Sequence, residues 1–215
     1  MTEKMIERLK KAYRVNQRDA GEFQKMKVKG MTFTVQCFTA EGLGNVSVMK
    51  ASGMFGLMKM DTVVVNPFDV DAPLFSYDRI KVVKNDLLYL ELFDTTIGHT
   101  FDTAGLLAVA DRHTDIPDHI PTPNWYEHLI LPSSSYKKTK QANSAKVDVF
   151  VEEFFDAYLA QVSQTKGCDP MQKKQCASIY SDGLIQNGGP STDVFVKKFG
   201  KDKTREFFKK VLFGA

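Results

Sequence analysis

Cysteine is scarce in this sequence. Cys37, Cys168 and Cys176 are the only three, an odd number with no Cys-x-x-Cys pair and no histidine at metal-ligand spacing. That argues against a disulfide scaffold and a structural zinc site. A protein-held iron–sulfur cluster, which usually takes four thiolates, is disfavoured on the same count. The 215 residues contain no Gly-rich phosphate loop, no GxSxG elbow, no HExxH and no dinucleotide fingerprint, so neither a bound flavin nor a metal is expected. His99, His113, His119 and His128 all fall in the loop-rich middle, at spacings unlike a metal site. Long hydrophobic runs are also missing; the best, around Thr62–Asn66, is strand-sized rather than membrane-spanning. The opening MTEKMIERLKKAYRV is charged and amphipathic and lacks the apolar core of a secretory signal. The expectation is a cytoplasmic protein with no membrane partner. Charge of one sign is scarce as well: 29 Lys and Arg against 26 Asp and Glu leave +3, too little to call for nucleic acid.

What is present is an ordinary globular composition, 43% hydrophobic and 26% charged, on a chain long enough for one sizeable core. We read residues 1–215 as a single domain. Met5, Ile6, Leu9 and Tyr13 share one face of a helix over residues 2–15. From Met31 the period changes to two: Met31, Phe33, Val35 and Cys37 face one way, Thr32, Thr34 and Gln36 the other. GNVSVMKAS, LMKMDTVVVN, LFSYDRIKVV and DLLYLELFDTT continue the pattern, with a hairpin turn expected at 84–86. Five strands joined by short links imply an antiparallel meander. DTAGLLAVADRH reads as a helix capped by Asp102 or Thr103, IPDHIPTPNW as loop, and YEHLILPSSSYKK as room for one more strand.

The last third turns helical. Val147, Val151, Phe154, Phe155, Tyr158, Leu159 and Val162 make a wide apolar face. Another helix is expected over 170–186, a break at 188–190 with Pro190 in a first helical turn, a short helix ending at Gly200, and a last one capped by Asp202. Strands first and helices later predict an α+β fold. Lys197, Lys198, Lys201 and Lys209 make this region basic, and it reads either as solvated helix faces or as a docking surface for an acidic partner.

Three acids sit oddly in their strands. Asp78 shares a face with Leu74, Ile80 and Val82; Glu91 shares one with Leu87, Tyr89 and Phe93; Asp61 precedes the Val63–Val65 run. A buried carboxylate either pairs with a cation, Arg79 or Lys59 being near in sequence, or holds a proton at neutral pH as a general acid must.

The stretch NPFDVDAPLFSYDRIKVVKNDLLYLELFDTT resembles the central signature of the ferredoxin-dependent bilin reductases. Asp71, Pro73, Phe75 and Asp78 keep its spacing and Asp94 matches the turn that follows. NWYEHLILPSSSYKK, with Trp125, Ser133 and Lys137, is similar to a second family segment. GGPSTDVFVKKFGKDKTREFFKKVLFGA is similar to the family's helical ending. The resemblance implies a three-layer α/β/α sandwich around a mostly antiparallel sheet, with a linear tetrapyrrole between the sheet and the C-terminal helices. It implies no bound cofactor, single electrons from ferredoxin or flavodoxin, and protons from buried acids in a radical mechanism. It assigns the central proton donor to Asp78 and, by an ungapped match, a second catalytic position to Asp61. Substrate contacts fall on Phe75, Asn187, Lys137 and Lys138, the lysines for the ligand's propionates. The family's second acid, within Asn-Asp-Pro, is replaced here by Gly189. Two readings follow, an oxidoreductase acting on a bilin or a non-catalytic tetrapyrrole-binding protein, with an unrelated α+β domain as the third.

Overall fold

Alternating apolar side chains between Met31 and Phe93 give one continuous antiparallel sheet. In the structure, a computed structural model that describes residues 1–189 and 192–215, strands β3 (Met31–Ala40), β4 (Gly44–Gly53), β5 (Met58–Pro67), β6 (Leu74–Val82) and β7 (Asn85–Phe93) pair in sequence order. The expected extra strand is β8 (Ser135–Lys140), which pairs with β7. At the other edge, β1 (Val15–Arg18) and β2 (Lys25–Val28) both pair with β3, and neither is legible in the sequence pattern. The β6–β7 turn is the two residues Val83 and Lys84, one position earlier than expected, with Val82 opposite Asn85.

Both faces of the sheet are covered. On one face, Val63, Val65, Phe75, Tyr77, Leu88, Leu90 and Leu92 pack against α1 (Thr2–Ala12), α2 (Ala104–Arg112) and α3 (Ser144–Val162). On the other, Val35, Met60, Val64, Leu74 and Phe93 meet α4 (Pro170–Asn187), α5 (Thr192–Phe199) and the C-terminal helix. The result is the expected α/β/α sandwich, and burial on both sides explains the unbroken Val63-Val64-Val65 run, where alternation fails. Helix α1 ends at Ala12, leaving Tyr13 extended. Asp102 accepts from the Ala104 amide at 2.9 Å at the start of α2. Asp169 accepts from the amides of Met171 and Gln172 at the start of α4, ahead of Pro170 at its first position. The expectation for Pro190 lies outside the described residues. Gly200, not Asp202, caps α6 (Lys201–Glu206), which widens into a π-helical segment, Phe207–Phe213.

That segment ends on the sheet. Asn45 Nδ2, Ser47 Oγ and Asn66 Nδ2 donate to the carbonyls of Leu212 and Phe213 at 3.1, 2.7 and 2.8 Å. Three buried strand polar groups thus satisfy the last carbonyls of the helix, which its own turns cannot. Gly214 follows with φ +73°, and a Cβ there would lie 2.6 Å from Asn45, so both conformation and space call for glycine.

Candidate functional site

Register sets the site. On the face toward α4, the cross-strand partners Met49, Thr62, Asp78, Tyr89 and Tyr136 form one row. Ser47, Val64, Ser76 and Glu91 form the next row toward the docked C-terminal segment. Ala51, Met60, Ile80, Leu87 and Lys138 form the row on the opposite side, toward the hairpin turns. A cavity of about 460 Å³ lies over these rows, within the usual range for a small-molecule site. Tyr180 and Leu184 of α4, Phe195 of α5 and Phe208, Leu212 and Phe213 roof it, and Pro121, Thr122 and Asn124 close one side.

The loop bearing those three residues is tied down twice. Trp125 Nε1 donates to the Gly188 carbonyl at 2.8 Å, and the His119 amide donates to the Tyr136 carbonyl at 3.0 Å. The indole lies against Gly183, where a Cβ would come within 2.0 Å of the ring. Hence a glycine stands in mid-helix at its usual cost in propensity.

Asp78 opens into the cavity. Thr62 Oγ1 donates to its Oδ1 at 2.5 Å and Ser76 Oγ to its Oδ2 at 3.1 Å. Among the described residues it has no ion-pair partner. Arg79, the nearest cation in sequence, points to the other face, where Asp86 holds it at 2.9 and 2.7 Å and Asp148 engages it as well. Burial raises the Asp78 pKa, and the two hydroxyls pull only partly against it. Glu91 lies diagonally across on β7, accepting from Tyr136 Oη at 3.2 Å. Burial first, and then the charge of Asp78, push the Glu91 pKa up to about 7, against the Tyr136 hydroxyl. Both carboxyls have raised pKa values in an apolar cavity with no lysine or arginine lining it among the described residues, and Glu91, at about 7, is divided between acid and carboxylate near neutral pH.

The site residues expected from sequence divide between the two faces. Asp78 is in the cavity, and Lys138 stands exposed on the same face at the β8 edge, in the row of Ile80 and Leu87. Asp61 is not: Asp78 pairs with Thr62, so Asp61 sits opposite Arg79 and turns to the α3 side. A one-residue offset in the ungapped match moves a side chain through the sheet. Phe75, three positions from Asp78, also faces α3, stacking on Tyr158 with centroids 4.9 Å apart. Lys137 is buried on that side, 2.7 Å from Asp118. Asn187 is exposed at the end of α4 and does not line the cavity. Glu91 carries a signal in the sequence, an acid among apolar strand neighbours, but the resemblance gives it no role. Thr62, Ser76 and Tyr89 carry none without the register.

No family model matches the chain, and no curated protein matches it. Among solved structures it superposes on selenomethionine-labelled phytochromobilin synthase from tomato in complex with biliverdin, with TM-score 0.80 and 12% identity, over 99% of this chain and 82% of that one. The chain has the bilin reductase fold. At 12% identity the likeness extends to the backbone and not to the side chains, so what the bilin-reductase scaffold does here rests on its own cavity. No helix of the described residues is long and apolar enough to cross a membrane.

Proposed function

We propose that the protein reduces a linear tetrapyrrole bound in the cavity between the sheet and the C-terminal helices, taking electrons singly from an acidic ferredoxin- or flavodoxin-type donor. The observation that carries this is the pair of carboxyls, Asp78 and Glu91, held with raised pKa values in an apolar cavity of a bilin-reductase fold. Reducing one double bond takes two electrons and two protons. The donor supplies the electrons. Asp78 gives the first proton once the ligand radical has become more basic, and Glu91 gives the second, filling the place left by the acid that Gly189 replaces. The Thr62 and Ser76 hydroxyls hold the Asp78 carboxyl in position and stabilise the carboxylate it leaves.

Lys138 is the cation for a propionate at the open edge of the cavity. Lys197, Lys198 and Lys201 are exposed and without ion-pair partners among the described residues, and they offer charge to an acidic donor. Lys209 is occupied by Asp182 at 2.9 Å.

Anaerobic incubation with biliverdin and chemically reduced ferredoxin, followed by absorbance, tests the reading. Loss of the biliverdin band over many turnovers is expected. A single stoichiometric shift would instead make the protein a binder, and no spectral change would remove both readings. Asp78→Asn keeps shape and should bind biliverdin but stall after one electron, leaving a persistent radical in the electron paramagnetic resonance spectrum. Normal turnover by this variant would leave Asp78 a structural acid.

A further inference from the structure

The end of the sheet farthest from the docked C-terminal segment is apolar where a soluble surface should not be. At the β4–β5 turn Met54 is 54%, Phe55 108% and Leu57 57% exposed, and Val83 at the neighbouring β6–β7 turn is 60% exposed. Met54, Phe55 and Val83 all take positive φ (50°, 54° and 54°), a conformation bulky residues adopt at a cost. Met54 and Phe55 stand outermost at the turn, while Leu57 and Val83 rim the polar groove behind it. One register step behind the tips stand cations. Lys59 lies directly opposite Lys81, and Lys81 is in turn opposite Asp86, 3.9 Å from its carboxylate. Lys84 follows Val83, and Lys140 lies opposite Asn85. The acids on this side lie deeper: Asp61 and Asp148 line the groove beneath Lys59 and Lys81, Asp86 is buried between Arg79 and Lys81, and Glu3 is taken by Lys50.

Apolar residues outermost, lysines one step behind and acids behind those is the layering of a surface that meets anionic headgroups with its tips in the acyl boundary. We propose that this hairpin end is a contact site for an anionic lipid surface, with Phe55, Met54, Leu57 and Val83 inserting and Lys59, Lys81, Lys84 and Lys140 against the headgroups. Such a contact involves the surface only and does not depend on the reductase reading. It is compatible with the lack of a membrane-crossing helix among the described residues. The geometry also gives the site a use. The outer row of the cavity, Met60 and Ile80, is one step from half-buried Met58 and Val82 on the same face, so an apolar track leads from the cavity to the tips.

Sedimentation with phosphatidylcholine vesicles, with and without about a third phosphatidylserine, tests this in the intact chain. Binding is expected only to the anionic vesicles and should be released by high salt. Each lysine removed, as in Lys59→Gln or Lys84→Gln, should cost about fivefold in partition, and Phe55→Ser about tenfold or more. Circular dichroism should show the variants folded, since the substituted groups lie at exposed positions. Failure to sediment with anionic vesicles would overturn the proposal. So would Phe55→Ser binding like the parent, or Phe55→Ser instead converting an oligomer to a monomer, which would make the tips an interface between copies.

Discussion

Replacing Glu91 by glutamine should stabilise the protein in a pH-dependent way. Glu91 has its carboxyl pKa raised from 4.5 to about 7 by burial and by the charge of Asp78. In the unfolded chain the group titrates near the ordinary value, so between about pH 4.5 and 7 the folded state binds more protons than the unfolded one. Stability contributed by this group therefore falls as pH rises through that window, and the loss is complete above it. The displacement of about 2.5 pH units corresponds to roughly 3 kcal/mol. The glutamine amide would keep an acceptor for the Tyr136 hydroxyl and carries no charge to desolvate. Parent and Glu91→Gln should then be equally stable near pH 4, while at pH 8 the variant should be ahead by up to about 3 kcal/mol, or roughly 6–12 °C in Tm for a domain of this size. Asp78, also raised, pulls the stability curve the same way in both proteins. Urea unfolding followed from pH 4 to 8 reads the difference directly. Parallel curves for the two proteins would refute the argument, because Glu91 would then be ionised in the fold at no cost.

Lys138→Ala should weaken biliverdin binding about two- to fivefold, the value of one exposed charge contact. Lys137→Ala should leave it unchanged and lower stability by about 1–2 kcal/mol through lost packing on Phe150, over which its Nζ lies at 5.7 Å from the ring centroid. Titration and urea melts of both variants separate the two lysines. Asp61→Asn should turn over at the parent rate, since Asp61 faces α3; a large loss of rate would return it to the chemistry. Gly183→Ala should destabilise by about 1–3 kcal/mol despite alanine's better helix propensity, because its Cβ would collide with Trp125. Trp125 is the only tryptophan, so its emission should shift as the loop lifts from α4.

The chain's periodicities determined most of the scaffold. Period two over Met31–Phe93 specified the five-strand meander, and the apolar face of residues 147–162 specified α3. Both signals are local, since each side chain's environment follows from its neighbours along the same element. β1 and β2 escaped because four-residue edge strands are held by their pairing with β3 rather than by their own pattern. The acid at Asp78 was visible for the same local reason, as a charge on an apolar strand face.

What its companions would be was not local. Whether Asp61 or Thr62 meets Asp78 depends on one residue of register between β5 and β6, and that choice sends the neighbouring side chain to the cavity or to α3. The β7–β8 register likewise puts Lys137 on the far face, and the β6–β7 register brings Asp78 close enough to raise the cost of ionising Glu91. A sequence states which residues alternate. Only the paired strands, with helices pressed on both sides, decide which face each alternation serves, because burial and charge coupling arise across strands and not along them.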